Sequence, residues 1–434
     1  MCGRYSSNNA WNYNSNGVLN NNNFYNSNYV SAVSELIIIR NMVKEEDMYT
    51  VYFLARKNKR RSEDAVIFEL DYERRIKNLV SAINEKTYRS NANYTFIARR
   101  PKPREVFACE LESRLIQWYI IWRINPILET ILTSRTFNNR VGMGVDSAIA
   151  QIQKDIKDVS QNFTIDAYYI QWDLSGYFPN AICEIAREQL QNVCENNYTG
   201  DDKEDIMWMI SIACNALPAR HCYRKSPPEM WNEIEQGKSL FEKDDGTGGA
   251  IGFLIWQVAM NLYLNDVDKW AIEDMGLHYV RFVDDTIIVV NNKEAALLLL
   301  PLFREKYRDV GAQMHKKKFV CQHISKGVRV LGSIIKFNRL YINNRTIRNA
   351  EKRIKQFNKC HNKKNNMLNF QATINSYFGL LKNRTEFNNI VKLYNMIDKR
   401  WWRFFTMDWE RMCIIANDEY KYNQIIKQNY YERN

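Results

Sequence analysis

Apolar residues recur at helical spacing early in the chain, over 31–47 and 68–88, and this pattern predicts amphipathic helices. Residues 95–111 alternate apolar and basic positions around two prolines, which is typical of a twisted hairpin. The stretch 112–132, which is rich in apolar residues, predicts a buried helix after that hairpin.

Two later stretches have the pattern of strands. Residues 167–174 predict one strand, and 278–291 predict a strand, a tight turn and a second strand. Further helices are predicted between these strands, among them 250–275, and the tail from 346 to 434 is predicted to be largely helical. This order of elements predicts an α+β fold in which helices back a small antiparallel sheet.

Residues 1–30 differ from the rest of the chain, and we expect the leader that contains them to extend to about residue 40. Asparagine supplies eleven of the first thirty residues, and apolar periodicity is absent there. We therefore expect a disordered, asparagine-rich leader. This leader also lacks the basic start and apolar stretch of a secretory signal, so we expect a cytoplasmic protein.

Composition narrows the class of protein. Of 434 residues, 45% are hydrophobic, and no apolar run approaches the roughly 18 residues needed to cross a bilayer, so we expect no membrane partner. The nine cysteines show no CxxC pair or histidine spacing typical of zinc. Sixty-one Lys and Arg against forty-nine acidic residues give a net charge of +12. The charge favours a polyanionic partner, although it also fits ordinary solubility.

The basic residues are concentrated in short runs. This layout suggests a track along which a nucleic acid binds through its phosphates. The runs are 56–61, 99–104, 315–318 and 352–364.

Acidic residues stand at the ends of the predicted strands. Asp284 and Asp285 occupy the tip of the 278–291 hairpin, and Asp173 ends the 167–174 strand. Adjacent carboxylates repel each other, so they favour a bound cation, although a plain Asp-Asp turn is the simpler alternative. If the strand ends converge, the carboxylates could hold two Mg²⁺ ions, or Mn²⁺ as a substitute, for phosphoryl transfer.

Three motifs around these residues resemble those of reverse transcriptases. The stretches QWDLSGYFPN, GGAIGFLIWQVAMNLYL and YVRFVDDTIIV have the order and spacing of motifs A, B and C of that family. The resemblance implies a right-hand polymerase fold with fingers, a palm and a helical thumb. We expect the leader at 1–40, fingers with N-terminal helices at 41–165, the palm with fingers insertions at 166–336 and the thumb at 337–434.

The same resemblance implies roles for individual residues. Asp173, Asp284 and Asp285 are the expected catalytic metal ligands, with Asp285 in a weaker role, and the Leu174 carbonyl is a further ligand. Phe178 is expected to exclude a ribose 2′-hydroxyl, which makes DNA the product, although it could instead be a core residue. The expected nucleotide-binding residues are Lys102, Arg104, Phe178, Ile251, Gly252, Gln257, Lys317 and Lys318, and the expected primer grip is Leu331 and Gly332. Lys102 and Arg104 could also be ordinary surface charges, and the choice between Lys317 and Lys318 stays open.

Further stretches resemble the reverse transcriptases of diversity-generating retroelements over roughly residues 50–350. They include RPKPREVFACELESR, NNRVGMGVDSAIAQIQ and the run from His315 to Ile347. Ile251 stands where most reverse transcriptases have glutamine, and losing its polar contacts predicts tolerance of mismatches. Trp256 and Phe253 depart from the family pattern, which has serine and asparagine there.

This resemblance implies a bacterial or phage enzyme that copies a template-repeat RNA into cDNA, with errors opposite adenine, for mutagenic retrohoming. The implied partners are template RNA, a DNA or RNA primer, dNTPs and a small basic oligomeric accessory protein. Residues 1–30 would then be a translated piece of the template repeat, or else an ordinary polar tail. The alternatives are a retron, abortive-infection or CRISPR-associated reverse transcriptase, and a non-catalytic RNA-binding scaffold.

Overall fold

The computed structural model describes residues 42–57, 63–89, 93–99, 102–215, 218–359 and 365–417. The predicted leader at 1–40, with the hypothesis about its origin, lies outside these residues. In the described part of the chain, none of the helices has the length and apolar character needed to cross a bilayer.

Most of the described residues belong to helices. The α-helices are α1 (Glu45–Arg56), α2 (Glu63–Glu69), α3 (Tyr72–Asn84), α4 (Leu111–Ile131), α5 (Val145–Val159), α6 (Cys183–Asn197), α7 (Lys203–Cys214), α8 (Leu254–Tyr263), α9 (Asn265–Lys269), α10 (Lys293–Asp309), α11 (Asn344–Lys359), α12 (Asn365–Lys382) and α13 (Phe387–Asn395). The strands are β1 (Asn93–Ala98), β2 (Arg104–Ala108), β3 (Tyr168–Leu174), β4 (Cys222–Arg224), β5 (His278–Phe282), β6 (Asp285–Val290), β7 (Met314–His323), β8 (Val328–Val330), β9 (Ser333–Lys336), β10 (Arg339–Ile342), β11 (Phe405–Asp408) and β12 (Cys413–Ala416).

A four-stranded antiparallel sheet in the order β5-β6-β3-β7 lies at the centre of the fold. Side chains alternate between the faces of a strand, so Ile170, Trp172 and Leu174 of β3 point into the larger hydrophobic core. Gln171 and Asp173 occupy the intervening positions. The apolar alternation therefore directs Asp173 to the face opposite Trp172.

Hydrophobic cores cover both faces of this sheet. The larger core joins the β3 residues to helices α4, α6, α8 and α10. A second core packs α5 against the opposite face, where Tyr169, Val280 and Ile287 are buried. Burial on both faces fixes the register of the strands, because a slip of one residue would exchange their faces.

Two further sheets of the described residues have three strands each. In the first, β1 pairs with β2 in an antiparallel hairpin and with β4 in parallel. The second has the order β10-β9-β8, and its β9–β10 turn contains the boundary predicted between residues 336 and 337. Residues 342–416 then form a hydrophobic core of their own, in which Trp401 stacks on Phe370 at 3.9 Å between ring centroids.

The predicted α+β class is confirmed, and several details differ from the prediction. Of the helix predicted over 31–47, residues 31–41 lie outside the described part of the chain, and α1 starts only at Glu45. The helix predicted over 68–88 consists of the end of α2 and of α3. The helix expected over 250–275 starts at Leu254 and consists of α8, α9 and a π-helical turn at Trp270–Asp274. It starts late because Gly252 has a φ of +113°, which a helix does not allow. The tail expected to be largely helical also contains the β11–β12 hairpin.

Candidate active site

The β5–β6 turn carries the predicted acidic pair in a strained conformation. Phe282 pairs with Asp285, so the turn consists of Val283 and Asp284. Val283 has a φ of +60°, in the left-handed region that β-branched residues avoid. Two hydrogen bonds hold its peptide groups: its N–H donates to Asn138 Oδ1 at 2.9 Å, and its carbonyl accepts from Arg281 Nη1 at 3.2 Å.

Arg281 is anchored by a buried ion pair. Its guanidinium donates to both carboxylate oxygens of Asp268, and the distance from Nη2 to Oδ2 is 2.5 Å. Neither side chain has any exposed surface. Asp268 also accepts from Tyr279 Oη at 2.6 Å and from Thr136 Oγ1 at 2.8 Å. A buried charge is tolerated when it is paired and hydrogen-bonded in this way.

Asn138 is anchored to a different helix. Its Nδ2 donates to Asn261 Oδ1, and its carbonyl accepts from Asn261 Nδ2 at 2.7 Å. The sequence reasoning missed Arg281, Asp268, Asn138 and Asn261. A charged residue inside the apolar YVRFV strand was the one available signal for Arg281.

Asp173 and Asp284 come together at the ends of neighbouring strands. Their side chains lie within hydrogen-bonding distance of each other. Burial of Asp284, with the nearby charges of Asp173 and Asp285, raises the pKa of Asp284 from 3.8 to about 7. This arrangement concentrates negative charge at one point.

Asp285 is oriented differently from Asp284. Its Oδ1 accepts from Gln171 Nε2 at 3.3 Å. Burial raises the pKa of Asp285, while the hydrogen bond from Gln171 lowers it. The hydrogen bond from Gln171 therefore holds Asp285 near Asp173.

The described residues contain a different group of three ligand-type side chains within 4.8 Å of one another: Asp155, Asp158 and His278. The carboxylate oxygens of Asp173, Asp284 and Asp285 do not all lie within that distance of one another. Asp155 is already neutralised by Arg135, whose Nη1 donates to both of its oxygens at 2.8 Å. This group is therefore a structural ion cluster, and the excess of negative charge lies at Asp173 and Asp284.

The donor set at Asp173 and Asp284 fits a divalent cation. It offers carboxylate oxygens, which are the ligands that Mg²⁺ and Mn²⁺ prefer. Burial and the neighbouring carboxylates of Asp173 and Asp285 raise the pKa of Asp284, and a bound cation would offset both effects. Leu174, whose carbonyl was predicted as a ligand, lines the same cavity.

That cavity has a volume of about 310 Å³ and brings together most of the predicted nucleotide-binding residues. Asp173 and Asp284 line it together with cationic and apolar side chains from four separate parts of the chain. These side chains are Lys102, Arg104, Phe178, Ile251 and Lys318. A polyanion with an apolar end would find both kinds of partner here.

A bulge in β7 explains how Lys318 reaches the cavity. Trp172 of β3 pairs with Phe319, and Leu174 pairs with Met314. Asp173 alone thus faces the four residues 315–318, which form an irregular bulge. Lys318 lines the cavity. The side chain of Lys317 lies outside the described part of the structure, so the choice between the two lysines stays open.

Gly252 and Gln257 were predicted to meet the nucleotide, but they are not among the residues that line the cavity. A Cβ on Gly252 would overlap the carbonyl oxygen of Phe107, because the Phe107 N–H donates to Ile251 O at 2.8 Å. The backbone of β2 therefore leaves no room for a side chain at position 252. Trp256, one of the departures from the family pattern, is buried beneath Gly249.

The predicted primer-grip residues lie elsewhere. Leu331 and Gly332 form the β8–β9 turn with φ values of +47° and +75°. They line a second cavity, together with residues 142–147 and Arg384. Arg384 pairs there with Asp146 at 2.6 Å.

Comparison with known proteins identifies part of this architecture. Residues 204–335 match the family model described as "Reverse transcriptase (RNA-dependent DNA polymerase)". The match includes Asp284, Asp285 and Lys318, whereas Asp173 precedes it. It supports the predicted enzyme class, an RNA-directed DNA polymerase, which is a nucleotidyltransferase, and this class of enzyme uses divalent metal ions.

Solved structures with similarity to the chain include telomerases. Apo telomerase from Candida Tropicalis is 15% identical, covers 72% of this chain and 60% of its own, and has a TM-score of 0.40. Telomerase from Candida albicans in complex with a TWJ fragment of telomeric RNA is 10% identical, covers 76% and 62%, and has a TM-score of 0.38. The chain spans less than two thirds of either structure, and these scores support no further inference. No curated protein matches the sequence.

The strained β5–β6 turn yields a first prediction. Asn138→Ala removes the acceptor of the Val283 N–H, an interaction worth about 1–3 kcal/mol when a buried donor loses its partner. We expect kcat for primer extension to fall about tenfold or more with little change in nucleotide KM, because the turn positions Asp284. Asn139→Ala is the matched control, since the exposed Asn139 donates to Gln257 O. Equal losses in both variants would contradict this role.

The raised pKa of Asp284 yields a second prediction. Its carboxyl binds a proton more tightly in the folded chain than in the unfolded chain, so without a cation stability falls as pH rises from about 4 through 7. MgCl₂ or MnCl₂ should therefore raise the melting temperature clearly at pH 8 and much less at pH 5, as measured by differential scanning fluorimetry.

Two variants locate the cation in that experiment. Asp284→Asn should lose most of the stabilisation by MgCl₂, whereas Asp158→Asn should keep it. The reverse result would place the cation at Asp155, Asp158 and His278.

Proposed function

We propose that the protein synthesises DNA on an RNA template by two-metal nucleotidyl transfer, with Mg²⁺ as the physiological ion. The observation that carries this proposal is the shared cavity of Asp173, Asp284, Lys102, Arg104 and Lys318. Carboxylates at one side suit metal ions, and cations at the other suit a triphosphate.

Each set of side chains has a distinct task in this reaction. Asp173 and Asp284 would hold the metal ions, and these ions would supply positive charge beside the primer 3′-hydroxyl and the leaving pyrophosphate. Lys102 and Arg104 bind and orient the triphosphate, and the planar guanidinium of Arg104 suits phosphate oxygens. Lys318 is placed to donate a proton to the departing pyrophosphate.

Phe178 supports DNA as the product. Its ring lines the cavity and packs edge-on against Tyr177, at 5.6 Å between centroids and 78° between planes. Tyr177 is itself fixed, because its hydroxyl donates to Met260 O. A ring held in this way beside the nucleotide sugar leaves no room for a 2′-hydroxyl.

We assign the enzyme to diversity-generating retroelements, where it copies a template-repeat RNA for mutagenic retrohoming. The support is the family resemblance of its sequence and the apolar side chain of Ile251 in the cavity. Without a polar side chain at this position, a mismatched base pair loses less relative to a correct one. Errors opposite adenine follow from this assignment.

The partners in this proposal are template RNA, a DNA or RNA primer, dNTPs and a small basic oligomeric accessory protein. The basic runs of the sequence suit the phosphates of an RNA–DNA duplex. The enzyme would act in the cytoplasm of a bacterium, encoded by the cell or by a phage. An adenine-rich repeat beside the gene supports this assignment, whereas a structured non-coding RNA upstream favours a retron.

A primer-extension assay tests the polymerase proposal. With a defined RNA template, a DNA primer, dNTPs and MgCl₂, the wild-type protein should extend the primer. Asp173→Asn and Asp284→Asn should each lower kcat about a hundred- to thousandfold, because metal-held charge in the transition state is lost. Asp158→Asn is the control and should stay active. An inactive wild-type protein would favour the RNA-binding scaffold.

Sequencing of the products tests the diversification proposal. The wild-type enzyme should misincorporate opposite template adenines more often than opposite the other three bases. Ile251→Gln should lower that frequency several-fold, because it restores a polar contact to the nucleotide. The assay is run with and without the neighbouring accessory protein. An even error spectrum under both conditions would rule out the subfamily assignment.

A further inference from the structure

A segment between β4 and α8 lies over the nucleotide cavity. We call residues 226–243 the covering segment. Five of its residues line the cavity that contains Asp173 and Asp284, namely Glu233, Ile234, Glu235, Lys238 and Leu240. Two of these are acidic, which is unexpected in a cavity for a triphosphate.

The covering segment is anchored firmly at both ends. Near its start, Ser226 Oγ accepts from the Ile97 N–H at 2.9 Å. Near its end, the buried carboxylate of Glu105 accepts from Ser239 Oγ and from the Leu240 N–H, both at 2.8 Å. Both anchors join the segment to the β1–β2 hairpin that carries Lys102 and Arg104.

The middle of the segment makes two exposed ion pairs. Glu233 pairs with Arg99 of the hairpin at 2.6 Å, and Glu235 pairs with Lys238 at 2.6 Å. The Glu235 and Lys238 side chains are 66% and 40% exposed, and such pairs contribute little to stability. They can therefore exchange partners at small cost.

Glu235 also lies within the field of the cavity cations. Its pKa is lowered, first by the hydrogen bond and charge of Lys238, and further by the charges of Lys318 and Lys102. In the proposed reaction, Lys102 binds the triphosphate and Lys318 acts on the departing pyrophosphate. Lys238 is a third cation near Glu235. Anions compete for such a group of cations, because each one repels the other.

We propose that Glu235 competes with the nucleotide triphosphate for Lys238, so that the covering segment sets the nucleotide affinity of the site. This inference rests on the proposed polymerase function. Lys238 passes from the carboxylate to the phosphates when the nucleotide binds, and the Glu235 charge then weakens the bound state. Glu235 is thereby a determinant of KM.

Steady-state primer extension at saturating template–primer tests this inference. Glu235→Gln should lower the KM for dNTP about three- to tenfold with kcat unchanged, since one repulsive charge near the phosphates is removed. Lys238→Gln should raise KM. Inorganic tripolyphosphate, used as an inhibitor, should bind more tightly to Glu235→Gln by the same factor.

Glu229→Gln is the matched control, because Glu229 lies on the covering segment but not among the residues that line the cavity. It should leave KM unchanged. The inference is overturned if Glu235→Gln leaves KM unchanged or raises it, or if Glu229→Gln lowers it equally. An unchanged KM in Lys238→Gln would exclude Lys238 as the contested cation. In each case an active wild-type enzyme keeps the polymerase proposal intact, whereas an inactive wild type overturns that proposal itself.

Discussion

The fully buried pair of Arg281 and Asp268 supports the whole candidate site. Removing one partner of such a pair leaves an unpaired charge in the core, at a cost of about 3–5 kcal/mol. Arg281 uses its remaining donors to hold the Val283 and Asn261 carbonyls, at 3.2 and 2.9 Å. The pair thus links helix α9 to the turn that carries Asp284, and it keeps two mutually repelling carboxylates in place.

The metal-binding carboxylates and the phosphate-binding cations of the proposed reaction come from different parts of the cavity wall. Carboxylates lie at the strand ends of the central sheet, while the cations come from the β1–β2 hairpin and the β7 bulge. Lys318 of β7 shares the central sheet with the carboxylates, whereas the β1–β2 hairpin belongs to another sheet. The distance from Lys102 and Arg104 to the carboxylates therefore depends on packing between sheets. The hydrogen bond from Phe107 N to Ile251 O at 2.8 Å, together with the absence of a side chain at Gly252, fixes that packing at one point.

Period-two alternation was sufficient to predict β3 and to direct Asp173 away from the core. The same pattern predicted the hairpin with Asp284 at its tip. The resemblance to reverse transcriptases implied Lys102, Arg104 and either Lys317 or Lys318 as nucleotide-binding cations. Lys102, Arg104 and Lys318 line the cavity, and so does Lys238, which was not predicted. Contacts over long sequence separations could not be predicted this way. Asn138 reaches Val283 across 145 residues, and no local pattern marks it. Gly252 was identified as important, but its contact with Phe107 O depends on tertiary packing.

The irregular stretch opposite Asp173 has a consequence for how this protein can vary. A strand that gains or loses a residue normally turns every later side chain to the wrong face. Here the register of β3 against β7 shifts at one point, because Trp172 pairs with Phe319 whereas Leu174 pairs with Met314. An insertion or deletion within 315–318 would change the length of this irregular stretch alone. The position of its lysines relative to Asp173 could therefore change during evolution, while β7 keeps its register from Phe319 onward.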